Sequence, residues 1–214
     1  MVHVRGRGVH GLPAVYVTFF RILLTQKQGV PIMAKHVCPW WLAYTFDNPL
    51  RRIFHKPEEM FSPYLREGMT AIDLGCGMGY FSISMARIVG GSGKVIAVDL
   101  QQRMLDTLRK RAEKAGVASR ITTVLCDEDN IGAHEAVDFA LAFWMAHETP
   151  DAMNFLTQVH AILKPSRKFL LAEPKGHVSF SEFQKTLSIA QELGFKLVGS
   201  PEISLSHAAL LEKP

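Results

Sequence analysis

Cysteine is scarce: the 214 residues hold three, Cys38, Cys76 and Cys126, and no two stand at C-x-x-C spacing. An odd, scattered set excludes a disulfide scaffold and a zinc ribbon. A chain of this length buries enough surface to fold without either. Long apolar runs are missing as well. No stretch nears the roughly 18 uninterrupted apolar residues of a membrane span, so no stable membrane insertion is expected. There is no internal repeat and no low-complexity tract. With 48% hydrophobic and 21% charged residues, the composition is that of a globular domain and not of a disordered chain.

Acid is absent from residues 1–32, which carry Arg5, Arg7, Arg21 and Lys27. Without those four, Lys plus Arg match Asp plus Glu at 20 each, so the +4 net charge belongs to the lead. The lead also lacks serine and an A-x-A-like cleavage site, and Arg21 interrupts its apolar run. Secretory and mitochondrial signals are therefore poorly matched. The expectation is that residues 1–32 are an extension outside the core, with Met33 an internal start, and that the protein is cytoplasmic. Residues 33–66 are rich in aromatics and punctuated by Pro39, Pro49, Pro57 and Pro63, which predicts a cap of short helices.

From Thr70 the rhythm changes. Short apolar strands are predicted at 70–74, 94–99, 121–125, 137–143 and 168–172, with two more at 195–198 and 207–211. Helices are predicted between them at 80–89, 101–115, 151–163 and 179–193. Continuous apolar strands alternating with helices mean an α/β fold, a doubly wound and mostly parallel seven-stranded Rossmann-like sheet. Residues 67–214 form that domain.

The first strand ends in Asp73-Leu74-Gly75-Cys76-Gly77-Met78-Gly79, and Asp99 ends the second. Ligands in such sheets bind at the carboxyl ends of the strands. Glycines there let backbone approach a ligand with no Cβ in the way, and a carboxylate at Asp99 can accept both hydroxyls of a ribose. A dinucleotide would require G-x-G-x-x-G, but Tyr80 stands where the third glycine belongs. Asp73 before the loop would also repel a pyrophosphate. An acid there suits a ligand with a cationic end, and S-adenosylmethionine carries an ammonium and a sulfonium and no phosphate.

D-L-G-C-G-M-G followed by V-I-A-V-D-L resembles the class I S-adenosylmethionine-dependent methyltransferases, most closely the small-molecule ubiquinone/menaquinone type (methyltransferase type 11). The likeness runs from Glu67 to the C-terminus and includes Leu163-Lys164-Pro165 before the fifth strand. It implies S-adenosylmethionine as cofactor. It also implies that Asp73 and the loop Gly75, Cys76, Gly77 and Gly79 meet the methionine end. Asp99 would bind the ribose, Leu100 would pack on adenine, and Asp127, with Glu128 beside it, would accept the adenine amino group. Cys76 lies at a variable position of the loop and reads first as a small buried filler.

Methyl transfer needs position and exclusion of water, and a base only where the nucleophile carries a proton. Candidate acceptor-pocket residues are Trp40, Trp41, Tyr44 and His55 in the cap, and Trp144 after the fourth strand. These rings can instead simply pack the cap on the sheet. His147, in Phe143-Trp144-Met145-Ala146-His147-Glu148, is the candidate base, while Glu173, Lys175 and His177 read as a polar rim. The family's Asn/Asp-Pro-Pro-Tyr/Phe motif for amine and amide nucleophiles is absent. The neutral core offers no phosphate-binding surface, so no nucleic acid is expected, and no metal site is seen. The expected activity is methylation of a small, apolar or aromatic acceptor at O, C or S. The alternatives are a silent cofactor-binding subunit and a dinucleotide-dependent oxidoreductase.

Overall fold

The computed structural model describes residues 55–214. Trp40, Trp41, Tyr44, the lead and most of the expected cap lie outside them. The described chain opens with α1 (Pro57–Phe61), where proline stands in the first turn with Glu58 and Glu59. Then follow β1 (Thr70–Leu74), α2 (Tyr80–Ile88), β2 (Lys94–Asp99), α3 (Gln102–Lys114), β3 (Ile121–Leu125) and β4 (Val137–Phe143). After these come α4 (Ala152–Ile162), β5 (Leu163–Pro174), α5 (Phe180–Glu192), β6 (Lys196–Gly199) and β7 (Ser206–Glu212). The strands form one seven-stranded sheet in the order β3-β2-β1-β4-β5-β7-β6. Strands β1 to β5 pair in parallel, and β7 runs antiparallel to both β5 and β6. The mostly parallel Rossmann-like sheet expected from the sequence is thus present.

Strand side chains alternate between two faces, and each face has its own core. Ile72, Leu74, Ile96, Val98, Phe169 and Leu171 pack against Phe155, Leu156 and Val159 of α4 and Phe183 and Leu187 of α5. Ala71, Val95, Phe139, Leu141 and Leu170 pack on the other face, against Phe61 of α1, Phe81 and Met85 of α2, and Leu105 and Leu108 of α3. Helices α4 and α5 start where a side chain supplies a partner for their first N–H groups. Asp151 accepts from the N–H groups of Met153 and Asn154, and Ser179 forms a reciprocal capping box with Glu182.

Strand β5 departs from the expected bounds. It begins at Leu163, where Pro165 suggested a turn, because Leu163 pairs with Val137 before the register shifts. Ser166 absorbs the irregularity with a φ of 58°. The strand also runs on past Ala172 to Glu173 and Pro174.

At the amino ends of β1, β4 and β5, Asp138 joins three segments. Its Oδ2 accepts from the Thr70 N–H and from Lys164 Nζ, each at 3.0 Å, and Oδ1 lies 3.3 Å from Arg167 Nε. Burial alone would raise its pKa. The Thr70 N–H and the two cations outweigh that, and the carboxyl is held below its ordinary value. A depressed pKa adds stability that is complete above the unfolded-state value of about 3.9 and is lost as pH falls through the folded-state value. Asp138→Asn should therefore cost about 1–3 kcal/mol at pH 7. In urea unfolding, its deficit relative to the parent chain should shrink steadily below about pH 4.

Candidate functional site

The carboxyl ends of β1, β2 and β4 open on a cleft. The loop after β1 forms one wall. Gly77 lines the cleft with a φ of 53°, and a Cβ built on it would meet no protein atom within 4 Å. Gly79 caps α2 with a φ of 85°, and a Cβ there would lie 2.6 Å from Leu108 Cγ. One glycine thus leaves space beside the cleft, and the other lets α2 start close against α3.

Asp99 ties the loop to the end of β2. Its Oδ2 accepts from the Gly77 N–H at 2.8 Å and its Oδ1 from the Gln101 N–H at 2.9 Å. The side chain is buried at the cleft. Burial raises its pKa, while the two N–H groups partly restrain the rise. Each oxygen has a further lone pair, so a ligand's hydroxyls can still be accepted.

The cleft is acidic. Asp99, Asp127, Glu128, Asp129, Glu148 and Asp151 line it, and among the described residues around it there is no lysine or arginine. A phosphate would meet only repulsion from these carboxylates. The walls are otherwise apolar, with Leu74, Val98, Leu100, Met104, Ile131 and Phe155. A group with a cationic end, a ribose and an apolar ring therefore fits this site, and a pyrophosphate does not.

The comparisons agree with that chemistry. Residues 71–166 match the methyltransferase domain family. Over those residues the chain is similar to the S-adenosylmethionine-dependent methyltransferases. The chain is 30% identical over 110 residues to a demethylmenaquinone methyltransferase of Lactobacillus johnsonii, covering 51% of this chain and 45% of the relative. It is 29% identical over 140 residues to a ubiquinone biosynthesis O-methyltransferase of Methylocella silvestris, covering 63% and 52%. The match thus spans about half the length of these curated relatives. Among solved structures, a SAM-dependent methyltransferase from Aquifex aeolicus superposes with a TM-score of 0.74 at 23% identity, covering 82% of this chain and 98% of that one. At that identity the likeness is one of fold.

Of the residues expected at the cofactor and acceptor, Gly75, Gly77, Asp99, Leu100, Asp127, Glu128 and Trp144 line the cleft. Asp73, Cys76 and Gly79 are not among its lining residues. Asp73 is 2% exposed and accepts from Ser82 Oγ of α2 at 2.5 Å. The Cys76 thiol is pushed well above its ordinary pKa, first by burial and then by Asp73 and Asp99, and so stays protonated. Burial likewise lifts the Cys126 thiol to about 11. No cluster of three metal-ligating side chains occurs among the described residues, nor does any helix there have the length and apolarity to cross a membrane.

His55 is buried. Its Nε2 lies 3.0 Å from the Ser204 carbonyl, its ring meets Phe143 and Trp144 edge-on, and its own carbonyl accepts from Tyr80 Oη at 2.7 Å. It pins the start of the described chain over the end of β4. Trp144 takes a left-handed φ of 60°, costly for a bulky residue, and its indole N–H donates to Ser206 Oγ at 2.8 Å. His147 lies in the 3-10 turn Ala146–Glu148, between Met145 and Glu148, which both line the cleft. Glu173 is not the rim residue expected: it is 2% exposed and bound to His147, because β5 runs on past its apolar run to Pro174. Sequence reasoning missed Asn154 and Gln158 at the cleft; polar residues on a helix face look the same whether they meet ligand or solvent.

The two glycines make a discriminating pair. Gly77→Ala should lose about 1–2 kcal/mol through left-handed strain alone. Gly79→Ala adds a clash with Leu108 and should lose about 2–5 kcal/mol. Equal losses in urea unfolding would contradict the packing described for the start of α2.

Proposed function

We propose that this chain transfers a methyl group from S-adenosylmethionine to a small apolar or aromatic acceptor, at O, C or S, by in-line displacement. The observation that carries the reading is the cleft itself: a backbone-held carboxylate at Asp99 and five further acids, with no cation among the lining residues described. Bound there, S-adenosylmethionine supplies a methyl group already activated as a sulfonium. The relatives named for demethylmenaquinone and for ubiquinone biosynthesis put quinone-like rings first among the acceptors to try.

The work of the chain is then positional. Asp99 accepts from the ribose hydroxyls, Leu100 packs on the adenine, and Asp127 takes its amino group with Glu128 close by. The Gly75–Gly79 backbone accommodates the methionine end, with the Asp73 charge set beneath it. Trp144 supplies aromatic surface that excludes water and attracts a cation. His55 acts by holding Phe143 and Trp144 in place. His147, in the turn whose neighbours Met145 and Glu148 line the cleft, is the group to take a proton.

Calorimetric titration tests this reading. The full chain should bind S-adenosylhomocysteine with micromolar affinity and should not bind NAD. Asp99→Ala should weaken the former about 10- to 150-fold, the loss of charge-assisted hydrogen bonds worth about 1.5–3 kcal/mol. An unchanged dissociation constant would remove Asp99 from the site. Binding of NAD instead would sink the methyltransferase reading. Tight product binding with no turnover of quinols, phenols or thiols would identify a silent binding subunit.

A further inference from the structure

The pair His147–Glu173 is built at more expense than a packing contact requires. Glu173 sits near the carboxyl end of β5, opposite His207 in β7, and is 2% exposed. Its Oε2 accepts from His147 Nδ1. Its Oε1 is buried and has no hydrogen-bond partner among the described residues. A buried carboxylate with an unused oxygen is costly to keep, and an apolar residue of similar size would fill the position at less cost. The retained arrangement has a definite chemical output. A carboxylate can only accept, so Nδ1 of His147 holds the ring proton and Nε2 of the neutral ring is the basic atom.

The surroundings of His147 sharpen that output. The charged and titratable groups facing it are Glu173 from β5, Glu148 from its own turn, Glu182 from α5, and the ring of His177, 4.8 Å away, from the segment between β5 and α5. Burial lowers its pKa, but the bond and charge of Glu173, followed by Glu148 and Glu182, outweigh this, and the net shift is upward. The side chain keeps 18% exposure, in a turn whose neighbours Met145 and Glu148 line the cleft.

Resting on the methyl-transfer reading above, we propose that Glu173 is a positioning residue that holds His147 as proton acceptor, and that the acceptor is an aromatic hydroxyl, a phenol or hydroquinone. A base adds rate only where the nucleophile is protonated at working pH. A phenol, near pKa 10, is protonated; a thiol, near about 8.5, supplies part of its own anion. The balance is simple. The acceptor O–H proton passes to His147 Nε2, and the oxygen pair it leaves forms the O–CH3 bond. The S–CH3 pair remains on sulfur as the thioether. The imidazolium, paired with Glu173, returns its proton to water.

Two readouts on the full chain test the proposal. Imidazole nitrogen NMR should show His147 as the Nδ1–H tautomer, titrating above the ordinary histidine value of about 6.5. In Glu173→Gln the titration should move down and the tautomer preference should fade. With catechol, a para-hydroquinone and thiophenol as probe acceptors, release of S-adenosylhomocysteine should occur with the hydroxyl compounds. The acid limb of kcat should follow the His147 titration, because the base must be neutral. Glu173→Gln should cut kcat about 10- to 100-fold with KM and product affinity unchanged, and His147→Gln should cut it at least as much. An unaltered tautomer and acid limb in Glu173→Gln would overturn the positioning role. Full turnover in His147→Gln would overturn the base. Turnover of thiophenol but of neither hydroxyl probe would overturn the substrate class. Loss of S-adenosylhomocysteine binding by the parent chain would instead strike the underlying methyl-transfer reading, which the NMR result does not touch. Should Glu173→Gln fail to fold, His147→Gln and the parent NMR titration decide.

Discussion

The Asp99 carboxylate bound to the Gly77 N–H is the contact on which the site depends. It spans 22 residues of sequence and locks the end of β2 to the loop after β1. Two neighbours reinforce it: the Cys76 N–H donates to the Val98 carbonyl at 2.9 Å, and the Cys126 N–H donates to the Asp99 carbonyl at 3.1 Å. Three parallel strands are therefore tied together at their carboxyl ends through backbone groups. The loop can follow this path because Gly77 accepts a positive φ that a β-carbon would strain. Asp99 is thus fixed in place by the same interactions that shape the wall beside it. A carboxylate held by two backbone donors pays little reorganisation when a ligand arrives.

Charge is sorted along the strand direction. At the carboxyl ends, acids gather around the cleft with no lysine or arginine among the described lining residues. At the amino ends, Asp138 is neutralised by Lys164 and Arg167. The first arrangement leaves a negative potential for a ligand to answer; the second leaves none and works for stability. The distinction matters for Asp73 too. Buried against Ser82 beneath the loop, it adds to the field of the cleft without offering an oxygen at its surface.

Much of this was legible in the sequence, and the residues show why. The glycines and Asp99 announced the site because turn chemistry and strand ends are local properties. Strand and helix bounds from β1 to α4 followed from apolar runs ended by glycine or proline. What escaped depended on distant packing. Glu173 looked like a rim residue in Glu173-Pro174-Lys175-Gly176-His177, and only its position between His147 and β7 buries it. His55 looked like a pocket wall, yet Ser204 and Tyr80, 149 and 25 residues away, make it an anchor. The left-handed Trp144 had no local signature, since a tryptophan in that conformation is tolerated only where its surroundings enforce it.

The order β5-β7-β6 has a consequence for how the sheet assembles. Strand β6 precedes β7 along the chain but touches the sheet only through it. On emerging from synthesis, Lys196–Gly199 has no neighbour to join until Ser206–Glu212 has zipped onto β5. The latest of the described strands is therefore the one that admits its predecessor, and that step closes a non-local contact of the kind that sets the pace of α/β folding. Until it occurs, β5 presents an open edge, and the Trp144 indole lacks the Ser206 hydroxyl that holds it at the cleft. The strand that admits β6 thus also carries the hydroxyl that holds the Trp144 indole.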